Sequence, residues 1–348
     1  MEAKLFFRAV KLFPVWVIKV LGLPPGWFPK GMRKFLENWD AAMIWSQVSS
    51  FGTKIYMDQP CRFRFKSTEP KTIVEGEYKM SREELEEFYR KGYSRPYTAV
   101  SEEEMKEFEK EIVTQLAQES KAFGINTVRD RHLDAPFLLN LFRHPAITER
   151  LAQLLGPDLL IWRSQVFNQE AGAPPITWHQ ASTYMLEDFK RPILKPRNKN
   201  ELFQLTVWIA VDNATVENGC IRFIPGTHDR IRKIHIGGKN KFYQAAFHLD
   251  VGENPEMEYR PLRPGQFVIF SERTIHGNAG NRTDSRRMGI NFRAITTDTS
   301  VYSGVDKHYA QHLKTTWDLK NWGVIQLRGK DEYKLSKTFE APQETLTS

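Results

Sequence analysis

Cysteine is almost missing: Cys61 and Cys220 are the only two in 348 residues. Two thiols exclude a disulfide scaffold and a cysteine-rich zinc site, and they suit a reducing cytoplasm. Long apolar runs are also lacking. The most apolar stretch, Met1 to Phe28, is interrupted by Arg8, Lys11 and Lys19, with Pro14 in its middle. It falls short of the roughly 18–20 uninterrupted apolar residues a spanning helix needs, and it has no small-residue cleavage site. Such a segment packs against its own domain, lies on a membrane surface or forms a lid over a hydrophobic substrate, and Pro14 weakens the helix that membrane contact through residues 1–28 would require. No repeat, no low-complexity tract and no Lys/Arg block with interleaved aromatics occurs. The net charge of +8 is therefore not read as nucleic-acid binding, but it would suit an acidic partner or substrate.

What is present is a chain with 41% hydrophobic residues, enough for a sizeable core. Ser81 followed by Glu84, and Ser101 followed by Glu104, are capping boxes that predict two helix starts. The second helix carries Met105, Phe108, Ile112 and Leu116 as one apolar stripe, and a third helix is expected over 145–155. From Leu159 the texture changes. LLIWRSQVF, FQLTVWIAV, CIRFIP, GQFVIF and MGINFRAI are strand-length and rich in Val, Ile, Phe and Trp. Turns are expected at Gly219, Pro225–Gly226, Pro264–Gly265 and Gly277. Helices followed by many short strands predict a mainly β fold with bracing helices, a sandwich or barrel. The polar stretch between Thr227 and Arg263 reads as a lid or disordered loop. The expected organisation is an N-terminal apolar extension (1–78), a catalytic domain (79–330) and a polar, fraying tail (331–348).

Of nine histidines, two sit just beyond strand-like segments: His179 in TWHQAST and His276 in FSERTIHGN. Positions like these can face each other across the mouth of an antiparallel double sheet. Two imidazoles so placed can ligate a divalent iron and leave coordination positions open. His228 is not expected to be a ligand, Asn218–Gly219 reads as a turn, and Arg286 and Arg287 read as surface charges.

The motifs WHQAS, TVWIAVDNATVENGCIRFIPGTH, RPGQFVIFSERTIHGN and RRMGINFRA, in that order, resemble the phytanoyl-CoA dioxygenase superfamily. Within it the likeness is to the chlorinating enzymes of nonribosomal peptide pathways. It covers roughly residues 160–330, including DLKNWGVIQLRG. The resemblance implies a double-stranded β-helix, or jelly roll, with Fe(II) and 2-oxoglutarate inside. It implies His179 and His276 as metal ligands, Arg293 as anchor for the distal carboxylate of 2-oxoglutarate, and Trp208 beside that co-substrate. It also implies Thr206 and Tyr184 near a halide. Hydroxylases of the superfamily use H-x-D and a distal His. Here the first motif reads His179–Gln180–Ala181, and a methyl group cannot ligate iron. In the halogenating branch chloride takes that position. The implied reaction, with O2, chlorinates an unactivated aliphatic C–H bond through a chloro-iron(IV)-oxo species and radical rebound. The implied substrate is a small molecule or an acyl or aminoacyl group tethered to a carrier protein. Leu186 departs from the family, which often has Asn there. Two alternatives stay open: a hydroxylase-type enzyme with an altered or introduced Ala181, and a metal-free binding protein of the same fold.

Overall fold

A computed structural model describes residues 3–30, 32–33, 36, 41–49, 51, 68–180, 193–198, 201–229, 234–236, 247–249, 251–252, 255–310 and 315–340. Helices lead. They are α1 (Ala3–Val20), α2 (Ala41–Ser49), α3 (Arg82–Lys91), α4 (Glu102–Leu116), α5 (Pro136–Phe142) and α6 (Pro145–Leu155). Both capping boxes are formed. The Ser81 and Ser101 hydroxyls accept from the Glu84 and Glu104 amides, and each glutamate accepts from its serine amide in return. The stripe on α4 faces inward, with Met105 and Ile112 buried and Phe108 and Leu116 half-buried. Helix α1 runs through Pro14. The carbonyl that Pro14 cannot pair is that of Val10, and both residues are exposed.

The strands are β1 (Tyr97–Thr98), β2 (Leu159–Gln169), β3 (Leu194–Pro196), β4 (Gln204–Ala210), β5 (Ile221–Phe223), β6 (Ile234–Ile236), β7 (Phe247–Leu249) and β8 (Glu258–Arg260). They continue as β9 (Gln266–Ser271), β10 (His276–Gly277), β11 (Arg287–Thr296), β12 (Thr299–Val301), β13 (Lys307–Ala310), β14 (Thr315–Asp318) and β15 (Ile325–Arg328). A six-stranded antiparallel sheet has the order β1-β9-β4-β11-β2-β15, and a three-stranded sheet has the order β10-β5-β8. Together they form the double-stranded β-helix. Within the expected loop between Thr227 and Arg263, β6 pairs with β7 and β8 joins the smaller sheet, and residues 230–233, 237–246, 250 and 253–254 lie outside the described residues. The expected fraying beyond Asp331 does not describe residues 336–339. The Val324 amide donates to the Lys337 carbonyl and the Val324 carbonyl accepts from the Phe339 amide, both at 2.8 Å, and the Ser336 hydroxyl accepts from the Val301 amide at 2.9 Å.

Alternation along the strands separates two environments. On the larger sheet Val207, Ile209, Ile290 and Phe292 face the helices, and Phe292 stacks on Phe142 of α5 at 4.5 Å. The opposite face of the same strands looks toward the smaller sheet. There the aliphatic pattern gives way to Thr206, Trp208, Asn291 and Arg293. Polar residues at the heart of an otherwise apolar sheet are what a site requires.

Candidate active site

Both histidines lie at the edge of the smaller sheet. His276 opens β10, and His179 lies beside it in an antiparallel bridge. Each backbone N–H donates to the other's carbonyl at 3.0 Å, and the ring centroids are 4.2 Å apart. Gly277 permits this approach. It was expected as a turn, but it is in the strand, and a Cβ there would lie 2.6 Å from the Ile176 carbonyl oxygen. Each imidazole Nδ1 sits 2.8 Å from the carbonyl two residues earlier, of Thr177 and Thr274. A carbonyl can only accept, so each Nδ1 carries the proton and each Nε2 the lone pair, the tautomer of a metal ligand. Desolvation pushes His179 down to about 4, although part of that ring is exposed, and it pushes His276 well below the ordinary range. The His179 charge lowers His276 further, and the Arg293 charge lowers both.

Register supplies the rest. Arg163, Arg293, Thr206 and Phe270 form one row across β2, β11, β4 and β9; Gln165, Asn291, Trp208 and Val268 form the next. The Phe270 ring lies 4.7 Å from His276, which ties the first row to the histidine end. Thr206 is 2% exposed, and its Oγ1 has no hydrogen-bond partner among the described residues. Trp208, 5% exposed, leans over Gly289, where a Cβ would come within 2.3 Å of the indole.

Arg287 overturns its expected place on the surface. Arg286 is half-buried and paired with Glu109 and Asp212. Arg287 is 3% exposed, with its guanidinium carbon 5.3 Å from the Trp208 ring. Its Nη2 donates to Gln169 Oε1 and to the Gly219 carbonyl at 3.0 Å, while its Nε has no partner among the described residues. Burial pushes it down to about 10, and no carboxylate lies within ion-pair distance of it among the described residues. A buried guanidinium with an unfilled donor is costly unless an anion completes it. Gln169 Oε1 also accepts from Asn278 Nδ2 at 2.8 Å, and Asn278 Oδ1 accepts from the Ile176 amide at 2.8 Å. One network thus joins Arg287 to the segments that carry both histidines. Gln169, Asn278 and Arg287 were all missed in the sequence. The one hint was Asn278, two residues beyond His276.

His228 bonds the Tyr89 carbonyl at 2.9 Å and plays no part in the pair. Asn218 makes the expected turn, accepting from the Thr215 amide at 2.7 Å. Ala181, Tyr184 and Leu186 lie outside the described residues. No group of three or more His, Cys, Asp or Glu side chains able to hold a metal occurs among the described residues.

A jelly roll whose two sheets face each other across paired histidines and an anion-seeking arginine has the architecture of the Fe(II)/2-oxoglutarate oxygenase class. The comparisons agree: the chain belongs to the phytanoyl-CoA dioxygenase (PhyH) family, whose model matches residues 88–289. The probable phytanoyl-CoA dioxygenase of Caenorhabditis elegans is 26% identical over 182 residues, 50% of this chain and 55% of that protein. The human peroxisomal phytanoyl-CoA dioxygenase is 26% identical over 166 residues, 45% of this chain and 46% of that one. The chain thus spans about half the length of these curated relatives. Among solved structures, CytC3 with Fe(II) and alpha-ketoglutarate has a TM-score of 0.61 at 25% identity, covering 77% of this chain and 98% of that one. The residues here fit such a pair of groups: two Nε2 lone pairs for the metal, and the unfilled Arg287 Nε and Thr206 Oγ1 for a bound anion.

Proposed function

We propose that the chain is an Fe(II)/2-oxoglutarate-dependent halogenase that chlorinates an unactivated aliphatic C–H bond. One observation carries this: residue 181 is alanine, two residues after His179, where a hydroxylase of this kind has its carboxylate. A methyl group leaves one position and one negative charge to be supplied from outside the chain, and a halide supplies both.

His179 and His276 would hold the iron through Nε2, each fixed by its Nδ1–H bond to a backbone carbonyl. Iron with 2-oxoglutarate and O2 supplies the oxidising power for C–H cleavage. Six residues of strand, roughly 20 Å, separate Arg287 from Arg293, so the two cannot share one role. Arg287, beside Trp208, is the better partner for the distal carboxylate of 2-oxoglutarate, because it is buried with no carboxylate within ion-pair distance among the described residues and it lies away from the histidines. Arg293, whose field reaches both imidazoles, would favour negative charge at the metal end. Thr206, in the same row, would offer its hydroxyl as a donor there. This reassigns the anchor that the resemblance gave to Arg293.

The test is product analysis by mass spectrometry with iron, 2-oxoglutarate, O2 and saturating chloride, over free and carrier-tethered aliphatic substrates. Chlorinated product is expected, and Ala181→Asp should abolish it by filling the halide position. Hydroxylated product alone would contradict the proposal and favour the hydroxylase reading.

A further inference from the structure

Helix α1 is apolar on two faces. One is satisfied: Leu12 and Val15 are 3% exposed, packed with Leu36, Ile44 of α2, and Leu249 and Ile275 of the β domain. Ile275 precedes His276 in the chain, and Trp178, also in this cluster, precedes His179. The N-terminal helices therefore brace the histidine segments. Among the described residues the second face has no such cover. Val10 (52%), Phe13 (47%) and Val20 (57%) are exposed, with Val17 half-buried between them, at helical spacing. Leu21 (65%) and Trp27 (74%) extend the patch beyond the helix, and Trp45 of α2, 4.6 Å from Trp16, is 45% exposed. Apolar residues at this density on a surface mark a contact site.

Charge decides what the contact is. Residues 3–36 contain seven Lys or Arg and no Asp or Glu, and Lys11 and Lys30 are exposed beside the apolar stripe. A second copy of the chain would bring this one-signed surface against itself. An anionic bilayer would neutralise it while taking up the aliphatic stripe and the tryptophans, which favour the membrane interface. No helix among the described residues is long and apolar enough to cross a membrane, so the contact would be peripheral.

We propose that the outward face of α1 and the segment to Trp27 dock on the surface of an anionic lipid bilayer. The proposal does not depend on the chemistry of the site. Full-length protein is co-sedimented with vesicles of phosphatidylcholine alone or mixed with phosphatidylserine. Partition into the anionic vesicles is expected, at least about tenfold stronger than into neutral ones. Phe13→Ser/Leu21→Ser/Trp27→Ser should weaken it by at least about tenfold with an unchanged circular dichroism spectrum, and Lys11→Glu/Lys30→Glu should weaken it on anionic vesicles only. Should the triple variant not fold, Trp27→Ser alone must still reduce binding. Failure to bind anionic vesicles, equal binding to both vesicle types, or wild-type binding by the variant that folds would overturn the proposal. So would a dimer in sedimentation that the same apolar substitutions dissolve.

Discussion

At the scale of single residues the site depends on close approach as much as on the groups that do chemistry. Gly277 lets the two histidine segments touch, since any Cβ there would meet the Ile176 carbonyl oxygen at 2.6 Å. Gly277→Ala is therefore expected to separate His179 from His276 and weaken iron binding by roughly 10–100-fold, measured by anaerobic iron titration. Wild-type affinity would show that the pair tolerates the shift. Arg287→Lys keeps a charge but loses the fork that meets Gln169, Gly219 and an incoming carboxylate. It should raise the 2-oxoglutarate concentration needed for half-saturation by at least about tenfold, with iron affinity nearly unchanged. The histidines were legible in the sequence because each follows a strand-like run. Arg287 was not. In RRMGINFRA two adjacent arginines look like surface charge, and only the pairing of β11 with its neighbours turns Arg286 toward Glu109 and Arg287 inward.

Whole elements were easier to read, wherever a local rule settles them. The capping boxes at Ser81 and Ser101 are complete within four residues, so no tertiary context could hide them. Ser101→Ala should lower stability by about 1 kcal/mol in urea unfolding. The five strand-like runs became β2, β4, β5, β9 and β11 because their β-branched and aromatic residues face a packed core on at least one side. Phe292→Ala, which removes the ring stacked on Phe142, should lower stability by about 3–5 kcal/mol. Elements held by distant partners were misread. The polar strand β8 exists because β5 pairs with it, and residues 336–339 are ordered by Val301 and Val324.

At the scale of the whole molecule, buried histidines make the fold sensitive to acid. Desolvation pushes both His132, 0% exposed, and His228, 2% exposed, down to about 4. Below the ordinary imidazole value near 6.5 the unfolded chain takes up these protons and the folded chain does not, so stability is full above pH 6.5 and falls as the pH drops toward 4. Each such histidine adds a slope of up to about 1.4 kcal/mol per pH unit in that window, and His132→Asn should flatten the curve by one such share. The proposed chemistry rests on a different whole-molecule property, a metal site completed by an ion from solution. The most direct measurement needs no substrate. Chloride is titrated into anaerobic protein holding Fe(II) and 2-oxoglutarate, and the charge-transfer band of the bound co-substrate is followed. Wild-type protein is expected to develop the band in step with chloride, and Ala181→Asp to develop it without halide. A wild-type band that is complete and unchanged without halide would contradict the claim that a halide takes the place of the missing carboxylate.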